Sequence, residues 1–524
     1  MNFSPRTTIR KPGLRSRNGV CVAQNAQAAR IGADILEDGG NAYDAAIAMS
    51  FALGVLEPWM SGIGGGGGMV LRDAKSDCVQ GIDFGLIAPK GLDPATYQLT
   101  EGHSTDLFPW RNVVEDRNLA GIHSVATPGI VAGMGKLHEF GGTMPWTELL
   151  APAIDLARGG VAGDYYSQLF ISTFVERLSQ DPMLSSTFLI DGKPPSGAVL
   201  ATGQARWHMP KLADTLSCLA HAGWQEFYRG DIAQMMVDEV SNIGGSLGRE
   251  DLQDYTATQG SADCAAYAGA DVYLAPGLSA GKTLARTLAL SSGSQSDNLH
   301  AVLAEALHRA QAERWNEDGD IAPPKTPDCT THFATSDKQG NLVSVTQTIL
   351  AGFGSGVMLP QSGVLLNNGM MWFDPEPGRP NSIAAGKRCL MNIAPTILRQ
   401  GDGFSAIGAA GGRRILSAVA HLVGYMADLG MNAEDAIHAA RSDCSIEGVV
   451  TCPAELAPIT VSGCATHVVP ALPWPLTYAI PSILSVDSSG SMGCADPVSP
   501  WADAAAQNLS SLRDPYEPKR ATCL

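Results

Sequence analysis

A polar, proline-rich segment in the middle of the chain, "NEDGDIAPPKTPDC" at 316–329, most constrains the fold, because the sequence pattern changes across it. Before it, apolar residues recur mainly at helical spacing, and the last predicted helix runs from Leu299 to Trp315. After it, short apolar runs predict strands at 331–336 and 342–349, joined by the turn "KQGN" as a hairpin. Helices first, strands later and helices again predict a layered α+β domain, with the segment as a surface linker.

The remaining elements follow from periodicity and from helix-capping residues. Predicted helices lie at 23–36, at 41–56 with Asn41 as N-cap, from Thr127-Pro128 to 140, and at 152–158, 232–240, 413–429 and 433–441. Predicted strands lie at 69–71, 79–84, 364–366, 394–398 and 404–407. The apolar stretch "YDAAIAMSFALGVLEPWM" contains Asp44, Ser50 and Glu57, so it is predicted to be a buried core helix and not a membrane span.

Composition excludes several classes of function. Asp and Glu total 52 against 35 Lys and Arg, a net charge of −17, which argues against binding nucleic acid or an anionic membrane. The basic N-terminus is followed by no apolar stretch of the kind found in secretory signals. The 11 cysteines form no C-x-x-C pair, which suits reduced thiols in a cytoplasmic protein. The sequence contains no H-E-x-x-H motif, and we expect no metal.

Two glycine motifs are predicted to have structural and not catalytic or ligand-binding roles. The run Gly64–Gly68 lacks both the preceding strand and the lysine of a phosphate-binding loop, so it predicts a tight backbone turn. The segment "GGSLG" at 244–248 matches a nucleophile elbow centred on Ser246, but helical residues precede it where the elbow requires a strand. We therefore predict a helix end and turn there, and keep a serine hydrolase using Ser246 as an alternative.

Thr330 is the stronger candidate nucleophile. It begins the strand directly after the linker, so the Cys329–Thr330 bond is predicted at an accessible strand start. Downstream, "FSAIGAAGGRRILSAVAHL" predicts a strand that breaks at Gly411-Gly412 and continues as a helix, where backbone N–H groups could bind an oxyanion. Without a base beside it, however, Thr330 is an ordinary strand threonine.

Several longer segments resemble one family along nearly the whole chain, from about Ala23 to Pro497. They are "NAYDAAIAMSFALGVLEPWMSGIGGGG", "ATPGIVAG", "EFYRGDIA", "TTHFATSDKQGNLVSVTQT", "GFGSGVMLPQSGVLLNN", "GAAGGRRI" and "GCADP". In this order they resemble the γ-glutamyltransferase family of N-terminal-nucleophile hydrolases. The resemblance implies a four-layer αββα sandwich.

The resemblance also implies a base for Thr330. Members of this family cut themselves before a threonine, so the Thr330 hydroxyl would attack the Cys329 carbonyl. Residues 1–329 and 330–524 would then be two chains packed as one intertwined domain, with a pairing of two such heterodimers left open. The freed α-amine of Thr330 titrates at about 8 and would serve as general base. Thr348 would support the nucleophile, Gly411 and Gly412 would bind the oxyanion, and no cofactor would be required.

This chain differs from the family at the positions that bind the γ-glutamyl head group. Positions at which the family has polar or charged residues are here occupied by Gly85, Leu350, Gly369, Trp372, Met391 and Asn392. Leu350 and Trp372, with Asn392 and Arg413, are the expected substrate-binding residues. The segment 374–387 is also shorter than the substrate lid of many bacterial members, which implies a more open site.

We therefore expect a small-molecule amide as substrate, cleaved through an acyl-Thr330 ester whose acyl group passes to water or an amine. The acyl group would lack a free amino-acid head, as in relatives that act on glutaryl-cephalosporins or oxamate. Arg388, Arg413 or Arg414 could hold a carboxylate, or could form structural ion pairs instead. The alternatives are a rebuilt clamp and glutathione hydrolysis, or a folded homologue that is never cut.

Overall fold

The computed structural model describes residues 9–104, 110–203, 205–292, 298–318, 329–457, 459–472 and 477–507. The strands are β1 Leu14–Ser16, β2 Gly19–Ala23, β3 Gly66–Asp73, β4 Cys78–Phe84, β5 Leu99–His103, β6 Arg111–Val113, β7 Val161–Ala162, β8 Arg206–Trp207, β9 Thr258–Ser261, β10 Cys264–Tyr267, β11 Ala270–Tyr273, β12 Cys329–Asp337, β13 Leu342–Leu350, β14 Thr396–Gln400, β15 Gly403–Ala410, β16 Val449–Cys452, β17 Ala465–Val468, β18 Ile480–Asp487, β19 Gly490–Ala495 and β20 Asp503–Ala505.

The helices are α1 Ala26–Glu37, α2 Ala42–Leu56, α3 Ile130–Gly141, α4 Trp146–Gly159, α5 Tyr165–Thr173, α6 Val175–Gln180, α7 Pro182–Phe188, α8 Gly197–Ala201, α9 Pro210–Ala222, α10 Glu226–Arg229, α11 Asp231–Asn242, α12 Arg249–Gln253, α13 Gly281–Ser291, α14 Leu299–Asp318, α15 Arg414–Ala427 and α16 Ala433–His438. Five short 3₁₀ segments begin at Pro94, Val114, Ile122, Gly369 and Ala454.

Two seven-stranded antiparallel sheets form the centre of the molecule. The first has the strand order β20-β2-β12-β13-β3-β4-β9 and the second β1-β19-β18-β15-β14-β11-β10. They stack face to face: the Ser344 hydroxyl on β13 donates to the carbonyl of Ile407 on β15. Helices α1, α2 and α3 pack on the outer face of the first sheet, and α13, α15 and α16 pack on the second. The predicted α+β class and the αββα sandwich are confirmed.

Helix α2 is buried at every position, as its apolar sequence predicts. Its N-terminus carries a capping box, in which the Asn41 side chain accepts from the N–H groups of Tyr43 and Asp44 while Asp44 accepts from Asn41 N–H. The predicted hairpin is also confirmed, since β12 pairs with β13 along its length. These elements are correct because each is specified by local pattern and capping.

Four details of the predicted elements are wrong: three helix starts and one strand. Ala23 lies in β2, opposite Phe333 of β12, and helix α1 begins only after its N-cap, Asn25. Gly129, and not Thr127, precedes α3. Pro152 lies inside α4. Residues 364–366 make only isolated bridges.

The glycine run is the start of β3 and not a turn, so the turn prediction is wrong there. A Cβ on Gly65 would lie 2.3 Å from the carbonyl oxygen of Thr348, and one on Gly67 would lie 2.3 Å from that of Thr346. Side chains are therefore excluded by the closeness of β3 to β13. The prediction for Ser246 is confirmed: α11 ends at Asn242, and Gly244 turns the chain with a φ of +80°.

Within the described residues, no helix combines the length and the apolar character needed to span a bilayer. The ten cysteines in these ranges are all free thiols. The same ranges contain no cluster of metal-ligating side chains. The predicted cytoplasmic location stays a prediction.

Candidate active site

Thr330 is buried at the start of a central strand. The predicted linker lies largely at 319–328, outside the described residues, and β12 begins at Cys329, which is fully buried. Thr330 is 4% exposed. The expectation of an accessible strand start is therefore wrong, because β12 already pairs with β13 at Cys329. The register of this pairing shifts between Cys329 and Thr331, so the strand is irregular at the bond in question.

Thr348 holds the carbonyl group of that bond. Its hydroxyl donates to the carbonyl oxygen of Cys329 at 2.7 Å and accepts from the Leu350 N–H at 2.7 Å. Because the N–H occupies one lone pair of the hydroxyl, the proton is directed at the carbonyl. A hydrogen bond of this kind draws electrons from the carbonyl carbon and favours attack on it. The structure thus places Thr348 at the Cys329–Thr330 bond, in contact with the Cys329 carbonyl, and its predicted support of the Thr330 hydroxyl stays a prediction.

The end of β13 is strained beside this contact. Leu350 lies opposite Cys329 and has a φ of +82°, which a leucine rarely adopts. The next residue is held by Asn368, whose side chain accepts from the Ala351 N–H at 3.0 Å. Asn367 similarly ties Gly64 to Ala126 through its amide group. The two asparagines therefore fix the loops around the site.

His332 lies two residues beyond Thr330 on the same face of β12. Its Nδ1 is 3.0 Å from the Thr346 hydroxyl, and its ring packs on Gly408 of β15, where a Cβ would lie 2.2 Å from it. Burial lowers the pKa of His332 to about 3, so the imidazole is neutral at physiological pH. It fills the space between the two sheets and cannot supply a positive charge.

Strand β15 carries the predicted oxyanion turn. Three residues past the contact with His332, Gly411 and Gly412 leave the strand with φ values of +130° and +52°. A Cβ on Gly411 would lie 2.9 Å from the Cα of Ala479, so both space and backbone conformation require glycine there. Helix α15 begins directly afterwards at Arg414, and the first N–H groups of a helix have no partner within it. The predicted strand-turn-helix is confirmed; the role in oxyanion binding stays a prediction.

An apolar cluster adjoins the bond on the side of Leu350. Its members are buried side chains from six separate segments, among them Leu86, Leu350, Met371, Trp372 and Met391. Leu350, which pairs with Cys329, connects this cluster to the candidate nucleophile. The indole N–H of Trp372 is buried and makes no hydrogen bond within the described residues. A buried donor without an acceptor is unfavourable, so this N–H is available to a ligand.

Gly85 and Met391 meet inside the same cluster. A Cβ on Gly85 would lie 2.7 Å from Met391 Cε and 3.0 Å from Asp83 Oδ1. The Gly85 N–H donates to Asp83 at 2.8 Å. Burial raises the pKa of Asp83, although the guanidinium of Arg388 opposes this. Met391 thus occupies the space into which a side chain at position 85 would extend.

A second group, polar and cationic, surrounds Asn392. Asn392 and Arg413 line a small cavity of about 10 Å³ together with Gln311 and Arg314, all of them buried. Arg413 is the residue immediately before α15, so this cavity adjoins the glycine turn. The Asn392 Nδ2 makes no hydrogen bond within the described residues. The predicted substrate residues thus separate into an apolar pair, Leu350 and Trp372, and a polar pair, Asn392 and Arg413.

All three candidate arginines make contacts within the protein. Arg388 lies 3.4 Å from the Asp83 carboxylate and donates to the Thr256 carbonyl. Arg414 donates to the Gly411 carbonyl at 3.3 Å. Of the three, only Arg413 lies beside Asn392. The ion pair of Arg388 with Asp83 agrees with the alternative that these arginines form structural ion pairs.

Glu57 is a site residue that sequence reasoning missed. It follows α2, is 2% exposed, and lies near the side chains of Thr331 and Asn25. Burial raises its pKa to about 7, while the nearby polar side chains of Thr331 and Asn25 favour the carboxylate and oppose the rise. The only signal in the sequence was an acid within a wholly apolar helix-to-loop segment, and that signal does not indicate its neighbours.

Comparison with known proteins identifies the family. The sequence profile of the family described as Gamma-glutamyltranspeptidase matches residues 28–329 and 320–450. The chain belongs to this family. Its members are self-processing amide hydrolases and transpeptidases of the N-terminal-nucleophile class, so the chain is an enzyme of that class. The matched residues include both sides of the Cys329–Thr330 bond.

Relatives of this family member include hydrolases and acylases. The glutathione hydrolase proenzyme of Bacillus subtilis (strain 168) is 31% identical over 486 residues, covering 81% of this chain and 80% of its own. The Acylase ACY 1 proenzyme of Pseudomonas sp. (strain SE83) is 32% identical over 479 residues, covering 83% and 84%. The crystal structure of cephalosporin acylase from Bacillus halodurans matches with a TM-score of 0.81 at 25% identity, covering 97% of this chain and 99% of that one.

Proposed function

We propose that this chain cuts itself between Cys329 and Thr330, and that Thr330 then hydrolyses or transfers an acyl group lacking a free amino-acid head. The observation that carries the first part is the 2.7 Å hydrogen bond from Thr348 to the Cys329 carbonyl. It polarises one particular peptide bond, at the start of a strand whose register is irregular there.

In the cut, the Thr330 hydroxyl oxygen attacks the Cys329 carbonyl carbon, and the peptide C–N bond breaks. The hydroxyl proton is transferred to the released nitrogen, leaving an ester between the two residues. Water then hydrolyses the ester, so that a carboxylate ends the first chain and a free amine begins the second. The products are chains 1–329 and 330–524, which remain together because β2 and β12 belong to one sheet.

The mature enzyme would use the new amine as base. The amine accepts the proton of the Thr330 hydroxyl as its oxygen attacks the substrate amide, and the leaving amine takes that proton away. The N–H groups at Gly411 and Gly412 stabilise the oxyanion. Water or a second amine then attacks the acyl-Thr330 ester and regenerates the enzyme.

The side chains around the Cys329–Thr330 bond suit an acyl group with an apolar body and an acceptor oxygen. Leu350, Trp372 and Met391 supply apolar walls, and Met391 fills the space beside Gly85. The unsatisfied N–H groups of Trp372 and Asn392 require acceptors. Arg413, which already interacts within the protein, lines the small cavity beside Asn392, and a guanidinium at that place is a better neighbour for a substrate carboxylate than for an ammonium group. A dicarboxylic acid monoamide, such as a glutaryl amide, meets these requirements better than a γ-glutamyl amide does.

The acylase relatives favour the same choice, since the matched crystal structure is named a cephalosporin acylase. Glutathione hydrolysis is the second candidate, favoured by the 31% identity to a glutathione hydrolase proenzyme. The test compares kcat/KM for the p-nitroanilides of glutarate, γ-glutamate and pentanoate. We expect glutaryl to exceed γ-glutamyl at least about tenfold, the effect of roughly 1.4 kcal/mol. Pentanoyl, which lacks the carboxylate, controls for apolar contact alone, and a γ-glutamyl preference would contradict the assignment.

A further inference from the structure

Glu57 lies near the side chain of Thr331, the residue after the proposed nucleophile, yet no step of the proposed mechanism uses it. It directly follows α2, and its backbone carbonyl accepts from the N–H groups of Met60 and Ser61. The resulting turn is fixed to the end of β13, because the Ile349 N–H donates to the Met60 carbonyl. The carboxyl group is consequently held by two elements of the core and cannot turn towards solvent.

The side chains around Glu57 leave one of its oxygens without a partner. Its Oε2 makes no hydrogen bond within the described residues, and neither does the Thr331 hydroxyl, although the two groups are near enough for Thr331 to favour the ionised carboxylate. Asn25 favours it as well. The Asn25 Oδ1 already accepts from Gln27 and Ala28, so its Nδ2 is the group that faces Glu57.

The ionisable groups near Glu57 do not neutralise it. Tyr166 on α5 interacts with both Glu57 and Cys329, and burial is the main cause that raises its pKa, so it is neutral. Asp496, which also acts on Tyr166, is paired with Arg441 at 2.8 Å. The two side chains that favour the charged form of Glu57, those of Thr331 and Asn25, are both uncharged.

Cleavage would create a cation one residue away from Thr331. In the intact chain the Thr330 nitrogen is a peptide N–H; after the cut it is a terminal amine, which carries three N–H donors when protonated. A carboxylate with a free acceptor oxygen is the partner such an amine requires. The side chains of Thr331 and Glu57 lie on the helix side of the sheet, so the carboxylate approaches from the face opposite to His332.

We propose that Glu57 is the counter-charge of the α-amine that the cut releases at Thr330, and is therefore a positioning residue for the nucleophile. The inference rests on the function proposed above. A buried amine alone has a lowered pKa, and a nearby carboxylate raises it, so Glu57 keeps the amine titrating close to neutral pH. Its attraction also holds the amine beside the Thr330 hydroxyl.

The test is the pH dependence of kcat/KM for the cut wild type and the cut Glu57→Gln variant between pH 5 and 9. Removing the carboxylate lowers the pKa of the amine, so the acid limb should move to lower pH by about one unit. Glu239→Gln is the matched control, because Glu239 is also buried but accepts from the N–H groups of Gln361 and Ser362. It should leave the limb unmoved. If the acid limb of kcat/KM lies at the same pH in the wild type and in Glu57→Gln, the inference is overturned.

A second measurement decides the matter if Glu57→Gln is not cut. The uncut Thr330→Ala chain should lose stability between pH 5.5 and 8 as Glu57 ionises, whereas the cut wild type should not, since its ammonium group already pairs with the carboxylate. The same pH dependence in both chains overturns the inference. A wild-type chain that is never cut would instead overturn the proposed function itself, so the two failures are distinguishable.

Discussion

Met391 occupies the space into which a side chain at position 85 would extend, since a Cβ on Gly85 would lie 2.7 Å from Met391 Cε. The resemblance to the γ-glutamyltransferase family places a carboxylate-binding arginine at this position. Gly85 and Met391 are therefore complementary. Gly85 has no side chain, and the apolar side chain of Met391 fills the space beside it. The proposed site would accordingly lack at position 85 the carboxylate-binding side chain that the resemblance implies.

Substitution of Thr330 tests the nucleophile. Thr330→Ala removes the attacking hydroxyl, so we expect one full-length chain by intact mass and denaturing electrophoresis. Thr330→Ser retains a hydroxyl and should still give chains 1–329 and 330–524. Cleavage at another bond, or cleavage of Thr330→Ala, would contradict the assignment, and loss of activity on Ser246→Ala would favour the serine alternative.

Thr348→Val should slow self-cleavage about 10- to 100-fold, the effect of losing roughly 1.4–2.8 kcal/mol of stabilisation at the Cys329 carbonyl. The rate is measured by following the full-length band after purification of freshly synthesised chain. Thr346→Val is the matched control, since Thr346 lies on the same face of β13 but contacts His332 and not Cys329. Equal rates in the two variants would show that the contact with the carbonyl does not assist the cut.

Trp372→Phe tests the donor in the acyl pocket. It removes the unsatisfied indole N–H and keeps an aromatic wall, so KM for the glutaryl anilide should rise about 3- to 10-fold with little change for pentanoyl. Trp110→Phe is the comparison within the same cluster: the Trp110 Nε1 already donates to the Met371 carbonyl, so its loss should affect stability more than KM. An equal rise in KM for both substrates would mean that the indole contributes only shape.

The raised pKa of Glu57 predicts a pH-dependent stability of the uncut chain. An acid whose pKa is about 7 when folded, against 4.5 ordinarily, binds its proton more tightly in the folded state. Its contribution is complete below pH 4.5 and disappears as the pH rises through 7, a loss of roughly 3 kcal/mol in the free energy of unfolding. Denaturant titrations of Thr330→Ala at pH 5.5 and 8 should show about 2 kcal/mol of this loss, because part of it has already occurred by pH 5.5, and Thr330→Ala/Glu57→Gln should not show it.

Local patterns predicted the parts of the site that belong to single elements. The hairpin of β12 and β13 was predicted from its alternating residues and polar turn, and the strand-turn-helix at Gly411-Gly412 from the glycines between two apolar segments. The start of α1 was predicted wrongly, because residues 19–23 pair with a strand more than 300 positions away. The glycine run at 64–68 was also misread, because only the closeness of β13 explains it.

The sequence by itself determined part of the helices and strands, the candidate nucleophile and, through the resemblance, the positions at which the family's substrate-binding residues are absent. Only the tertiary structure decided what replaced them: Met391 beside Gly85, Arg413 beside Asn392, and Glu57 next to Thr331. Hydrophobic periodicity and capping specify which residues form a helix or strand, because those interactions are local. The environment of a buried acid or of an unsatisfied N–H depends on which distant side chains pack against it, and that is settled only when the sheets and helices come together.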